Sequence, residues 1–193
     1  MLLMNKPLVF FLCLLPFLGL VVDGFTGGLG VNPVETVTHV TGEWALRLLL
    51  ITLAVSPLRT WFGWRRQLLL RRMLGLFAFF YATLHFGAWF ILDQGLSLGL
   101  MMEDVIERPY ITVGFIAFIL LIPLAVTSTD GMIRRLGGKN WRRLHKSVYA
   151  VGALAVLHYL WLVKADWIEP AVYALILAVL LIARLPVAVK RSK

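Results

Sequence analysis

Four histidines are the residues of this 193-residue chain best suited to chemistry. His85 sits in LFAFFYATLHFGAWF and His158 in VGALAVLHYLWLV, both uncharged and strongly apolar. His145 stands just before the second stretch, in NWRRLHKSVYA, and His39 lies in ETVTHVTGEW. An ionisable side chain inside an apolar span is costly and marks a functional site by default. Counted along a helix from Met73, His85 lies ~18 Å in, and counted from His145, His158 lies ~20 Å in. If the two helices run in the same direction, the imidazoles share one depth, past the middle of a membrane. Two neutral imidazoles facing each other across a gap are what a low-spin heme takes as axial ligands. Ala82, Gly87, Ala88 and Ala155 beside them would leave room for a flat macrocycle. The bland reading is that each histidine only hydrogen-bonds a neighbouring helix. A metal transporter would want carboxylates or cysteines in the spans. The apolar runs hold no carboxylate, and Cys13 is the one cysteine.

His145 precedes His158 by 13 residues, ~20 Å of helix, which suits a second heme in the other leaflet. Thirteen is not a whole number of turns, so the two rings point to different sides, and one heme or two stays open. Thirteen residues before His85 stands Arg72, not histidine, with Arg71 beside it. Three roles compete for these arginines: topogenic charge, pairing with heme propionates, and direct ligation by a nitrogen that is normally protonated. Arg142 and Arg143 flank His145 and are further candidates for propionate or anionic-lipid contact. His39 reads as a surface-loop residue, with lining of an outer-face site as the alternative.

The elements that must carry these residues follow from the apolar runs, at roughly 7–22, 44–57, 73–92, 110–127, 147–163 and 170–186. The chain is 60% hydrophobic, with a mean hydropathy of +0.85. A spanning helix takes ~20 residues, so six use nearly all of it as one domain, 1–193, with no room for a soluble nucleotide-binding domain. The expected fold is an all-α six-transmembrane-helix bundle. The first run resembles a signal peptide, but Asp23-Gly24-Phe25-Thr26 offers no small-x-small cleavage site, which favours a retained helix. Ser56-Pro57 is expected to end the second helix, with residues to Trp64 at the interface. The Gly-rich 24–33 segment reads as an ordinary loop, and no internal repeat is evident.

The net charge of +9 sits in short loops, which points to topology and lipid rather than nucleic acid. With the N-terminus cytoplasmic, Lys6, the arginines of 59–72, the basic residues of 134–146 and the tail (Arg184, Lys190, Arg191, Lys193) all lie inside. Arg47, Arg108 and Lys164 fall outside, with every carboxylate but Asp130. Both termini are then cytoplasmic.

Five stretches carry a family likeness: HVTGEWAL (39–46), RRMLGLFAFFYATLH (71–85), ERPYITVG (107–114), TSTDGMIRRLGGKNWRRLHKSVY (127–149) and LHYLWLVK (157–164). In order and spacing they closely resemble the heme-binding membrane subunits of bacterial periplasmic methionine sulfoxide reductase systems, the MsrQ or YedZ family. That family lies within the ferric reductase-like transmembrane group. The resemblance implies a bacterial inner-membrane protein binding heme b through His85, His145 and His158. It also implies electrons taken from the quinone pool and passed to a periplasmic molybdopterin enzyme, MsrP, which reduces methionine sulfoxide in oxidised proteins. FMN is associated with the family, although no flavin motif is visible here. In the wider group the third helix often carries two histidines, where this chain has Arg72. The chain would be an electron-transfer subunit rather than the catalytic reductase. Rival readings are a stand-alone ferric or quinone reductase, a His-lined transporter without heme, and a non-redox membrane anchor.

Overall fold

The second helix begins well before its apolar stretch. Asn32 accepts the Glu35 backbone N–H on its side chain at 3.3 Å, and Pro33 occupies the first turn, where its missing N–H costs nothing. From that cap, α2 runs Pro33–Phe62 and ends at Gly63, whose φ of +68° closes it. The computed structural model describes residues 6–63, 69–163 and 165–184. Trp64, Arg65, Arg66, Lys164 and the basic tail past Arg184 lie outside them. The other helices are α1 (Lys6–Thr26), α3 (Arg71–Gly87), α4 (Leu98–Glu107), α5 (Pro109–Val126), α6 (Asp130–Leu136), α7 (Gly138–His145), α8 (Val148–Leu162) and α9 (Ile168–Ile182). A π-helical turn, Ala88–Asp93, extends α3.

Helices α1, α2, α5 and the continuous Arg71–Asp93 stretch are long and apolar enough to cross a membrane, while α8 and α9 are apolar but 15 residues each. This is a multi-pass helical membrane protein. Its core lies where α2, α3, α5 and α8 meet, with Leu48, Leu53, Ala78 and Val151 each 2% exposed. Side-chain contacts give the directions. His85 meets α2 near its start and Arg71 meets it near Ser56, so α2 and α3 are antiparallel. His158 meets the start of α5 and His145 its end, so α5 and α8 are antiparallel too.

Several sequence expectations need correction. The second helix does not stop at Pro57. Proline removes the N–H that would bond the Leu53 carbonyl, and the Arg184 guanidinium donates to that carbonyl instead. Arg184 also lies over the Tyr149 ring at 5.2 Å, so this residue of the basic tail is packed against the bundle. His39 is helical, not in a loop. Glu43 lies inside α2 next to Gly42, which abuts His85, so a carboxylate does stand in a span at the histidines' level. Arg47, one turn further in, is paired with Glu43 at 2.8 Å and Glu169 at 3.6 Å. The acidic 93–107 segment contains α4, and 134–146 folds as α6 and α7.

Helix α1 packs on α3 through Phe10 against Phe77 and Phe17 against Phe80, and a buried hydroxyl adds hydrogen bonds to that seam. Pro16 perturbs α1, and Tyr81 of α3 inserts there, accepting from the Phe17 N–H at 3.0 Å and donating to the Cys13 carbonyl at 2.8 Å. Those two groups are the i, i+4 donor and acceptor of one helical turn, and the hydroxyl bonds to both. Tyr81 is 0% exposed. Tyr81→Phe should cost about 1–3 kcal/mol by leaving both groups unbridged in apolar surroundings. Limited proteolysis of the purified variant should release α1 first; unchanged protection would show that the hydroxyl does not hold it.

Candidate functional site

Helix α3 presents His85 to α2, and α8 presents His158 to α5, by the same device. The His85 Nδ1 lies 2.8 Å from the Thr38 carbonyl oxygen, and the His158 Nδ1 lies 2.7 Å from that of Tyr110. A carbonyl can only accept, so each Nδ1 carries the proton and each Nε2 keeps its lone pair. Metal-binding histidines are held in this way, their second nitrogen donating to a carbonyl that fixes tautomer and orientation. The two rings lie beside the same cavity, with centroids 6.1 Å apart and planes crossed at 78°. Imidazole nitrogens bind metals at about 2.0–2.1 Å, so two rings on opposite sides of one ion have centroids about 6.4 Å apart. The pair therefore stands at the spacing of two axial ligands.

Around the pair is a cavity of ≈ 310 Å³ between α2, α3, α5 and α8. Ala82 and Ala155 line it, as expected, whereas Gly87 and Ala88 do not. Its wall carries Trp89, on the π-helical turn just past His85. The Trp89 Nε1 is buried without a hydrogen-bond partner, alone in this among the described residues. Turns of this type recur at functional sites. The wall thus offers a donor that the protein itself leaves unused. His39, Glu43, Asp93 and Arg108 bring charge and polarity to the same cavity, and His39 is exposed. The donor set, the crossed rings, the small side chains and the orphaned N–H all fit a planar metal macrocycle bearing polar substituents.

A second cavity, ≈ 280 Å³, holds Arg71, Arg72, Trp141 and His145, and Leu49 and Leu121 line both cavities. His145 ends α7, and a turn at 146–147 separates it from α8, so the continuous-helix count to His158 does not apply. Trp141 stacks on His145 with centroids 3.9 Å apart, and its Nε1 donates to the Thr127 carbonyl at 2.9 Å. The Thr127 hydroxyl donates to the Pro123 carbonyl at 2.6 Å and lies 3.0 Å from the His145 Nε2. Its proton is spent, so it accepts from Nε2–H, which leaves Nδ1 as the lone-pair nitrogen of His145. Burial first, and the Arg71 charge second, push this imidazole below its ordinary pKa, which keeps it neutral. Arg72 is paired with Asp130 at 2.8 Å, and Arg71 reaches the Ser56 hydroxyl at 3.4 Å. Arg142 and Arg143 are exposed and line neither cavity.

The ferric reductase-like transmembrane component family matches residues 41–157, which include His85 and His145 and stop one residue short of His158. Three relatives carry the name protein-methionine-sulfoxide reductase heme-binding subunit MsrQ. The protein from Herminiimonas arsenicoxydans is 50% identical over 181 residues, 93% of this chain and 83% of its own. That from Ralstonia nicotianae is 53% identical over 175 residues, 90% and 81% of the two chains. The chain belongs to the MsrQ family. A third MsrQ, from Rhodospirillum rubrum, is 50% identical over 190 residues, 98% of this chain and 91% of the relative. No solved structure matches the chain. Sequence reading singled out the histidines of this MsrQ chain but missed Thr38 and Tyr110, which act through backbone carbonyls that residue type does not reveal. It also missed Trp89.

Proposed function

We propose that this chain carries electrons across the bacterial inner membrane on heme b, from the quinone pool to a periplasmic molybdopterin methionine sulfoxide reductase of the MsrP type. The observation that carries this reading is the pair His85 and His158, each anchored through Nδ1 to a carbonyl of the neighbouring helix. These two imidazoles would hold an outer heme, which would supply one-electron redox chemistry when bound. The chain's residues orient the imidazoles, exclude water with the aromatic walls, and offer the Trp89 N–H and the Arg108 guanidinium to acidic substituents. His145 would serve a second, inner heme, with Arg71 near its propionates and Arg72 held by Asp130.

Six crossings with both termini cytoplasmic agree with the basic inner loops and the carboxylate-rich outer face. His39, Asp93 and Arg108 then mark the outward mouth where a soluble acceptor would approach. The test uses purified chain in lipid nanodiscs, reduced by a quinol and followed by heme absorbance. Rapid reduction is expected, with reoxidation only when the periplasmic partner and methionine sulfoxide are both added. Purified protein with no Soret band would overturn the cofactor. Reoxidation by ferric salts without the partner would overturn the assigned acceptor.

A further inference from the structure

Two glycines stand against the histidine pair, and each makes a specific demand. A Cβ on Gly42 would lie 2.9 Å from both Cε1 and Nδ1 of His85. A Cβ on Gly114 would lie 2.7 Å from Nδ1 and 2.9 Å from Cε1 of His158. Both distances fall far inside the 3.5–4.0 Å at which non-bonded carbons rest. Neither glycine has the positive φ that would explain it by backbone shape. The two positions are related in another way: Gly42 lies four residues after Thr38, and Gly114 four after Tyr110, the residues whose carbonyls take the imidazole N–H groups.

That relation has a geometric cause. In a helix, residue i+4 sits one turn above residue i on the same face. A ring reaching carbonyl i from a neighbouring helix must therefore pass over residue i+4, and a side chain there closes the approach. Both halves of the site repeat the solution, with hydrogen bonds spanning 47 residues from Thr38 to His85 and 48 from Tyr110 to His158. The pair α2–α3 and the pair α5–α8 are both antiparallel, so an internal correspondence exists that sequence inspection did not reveal. At the other end, Arg72 of α3 and His145 line the second cavity together.

We propose that Gly42 and Gly114 are positioning residues for the heme-facing imidazoles, their bare backbone fixing where each Nε2 points and holding the two rings crossed. This rests on the heme reading above. The test compares Gly42→Ala and Gly114→Ala with wild type and with Gly19→Ala, whose Cβ would meet nothing within 4 Å. The proteins are full length, in membranes and purified, and the readouts are heme per protein and the low-temperature electron paramagnetic resonance spectrum. Crossed imidazole planes give ferric heme a strongly anisotropic low-spin signal with a large gmax, expected in wild type and Gly19→Ala. Each active-face alanine should weaken heme retention about 10–100-fold, as loss of ligand-orienting partners does, and move or split that signal. Wild-type heme content and an unshifted signal in both variants would overturn the proposal while leaving the heme reading intact. Absence of heme in wild type would remove the reading itself.

Because an alanine could act by misfolding, a second comparison isolates the ring contact. His158→Gly with imidazole supplied in solution should regain low-spin heme. Gly114→Ala added to that background should cost much less than in the wild type, since a free ring can shift. An equal cost in both backgrounds would assign the glycine to folding alone and refute the positioning role.

Discussion

Replacing His158 with alanine should abolish the low-spin heme spectrum of the purified protein, and His85→Ala should do the same. Each imidazole is one of two rings whose 6.1 Å separation leaves room for a single metal between them, so neither substitution leaves a spare ligand in place. Loss of a partner that merely orients a ligand weakens binding 10–100-fold. Loss of the ligand itself should exceed that, with heme content falling by pyridine hemochrome assay and any remnant high-spin in the native absorbance spectrum. His39→Ala provides the contrast, because that side chain is exposed at the cavity mouth and its removal should leave the spectrum in place. His145→Ala should retain the outer-site signal and remove only what the second cavity contributes. A full low-spin spectrum in either His85→Ala or His158→Ala would end the bis-imidazole assignment.

The second large effect should come from Arg47→Ala, read as thermal stability in detergent. Arg47 joins two helices: its NH2 pairs with Glu43 of its own α2 and Glu169 of α9, and its Nε donates to the Tyr173 hydroxyl of α9 at 2.8 Å. The guanidinium also lies 5.3 Å above the Trp44 ring. Alanine leaves two carboxylates without their cation at the level of an apolar bundle. Breaking a buried pair costs about 3–5 kcal/mol; with roughly a third of the Arg47 side chain exposed, about 1–3 kcal/mol is expected. Arg47→Lys should fall between, because an ammonium keeps the charge without the fork. Adding Glu43→Gln to Arg47→Ala should recover part of the loss. A melting temperature unchanged in Arg47→Ala would show that the cluster does not fasten α9.

Much of this arrangement was legible in the residues themselves. Long uncharged runs mark spans because little else can hold backbone polar groups in lipid, and two buried histidines at one depth mark a site. The misreadings share a cause, that hydropathy sees side chains and not backbone partners. Residues 33–43 look like a loop because Glu35, His39 and Glu43 are polar, yet the Asn32 cap carries the helix through them. Pro57 looks like a stop because its local bond is lost. Gly42 and Gly114 could have been noticed as glycines inside helical stretches, but the rings they accommodate lie on other helices. Nothing in the order of residues names the carbonyls of Thr38 and Tyr110. The tautomer of His145 likewise follows from a threonine hydroxyl that only the folded chain brings near.

The contact between Arg184 and the Leu53 carbonyl joins groups 131 residues apart, and that distance has a meaning in time. Translation delivers about 5–20 residues per second, so the second helix must wait on the order of ten seconds for the guanidinium that completes it. During synthesis, its proline break would stay open to water, lipid or a chaperone, and would close when α9 and Arg184 arrive. Helix α9, with Arg184 just past its end, would then act as the latch on the first half of the bundle.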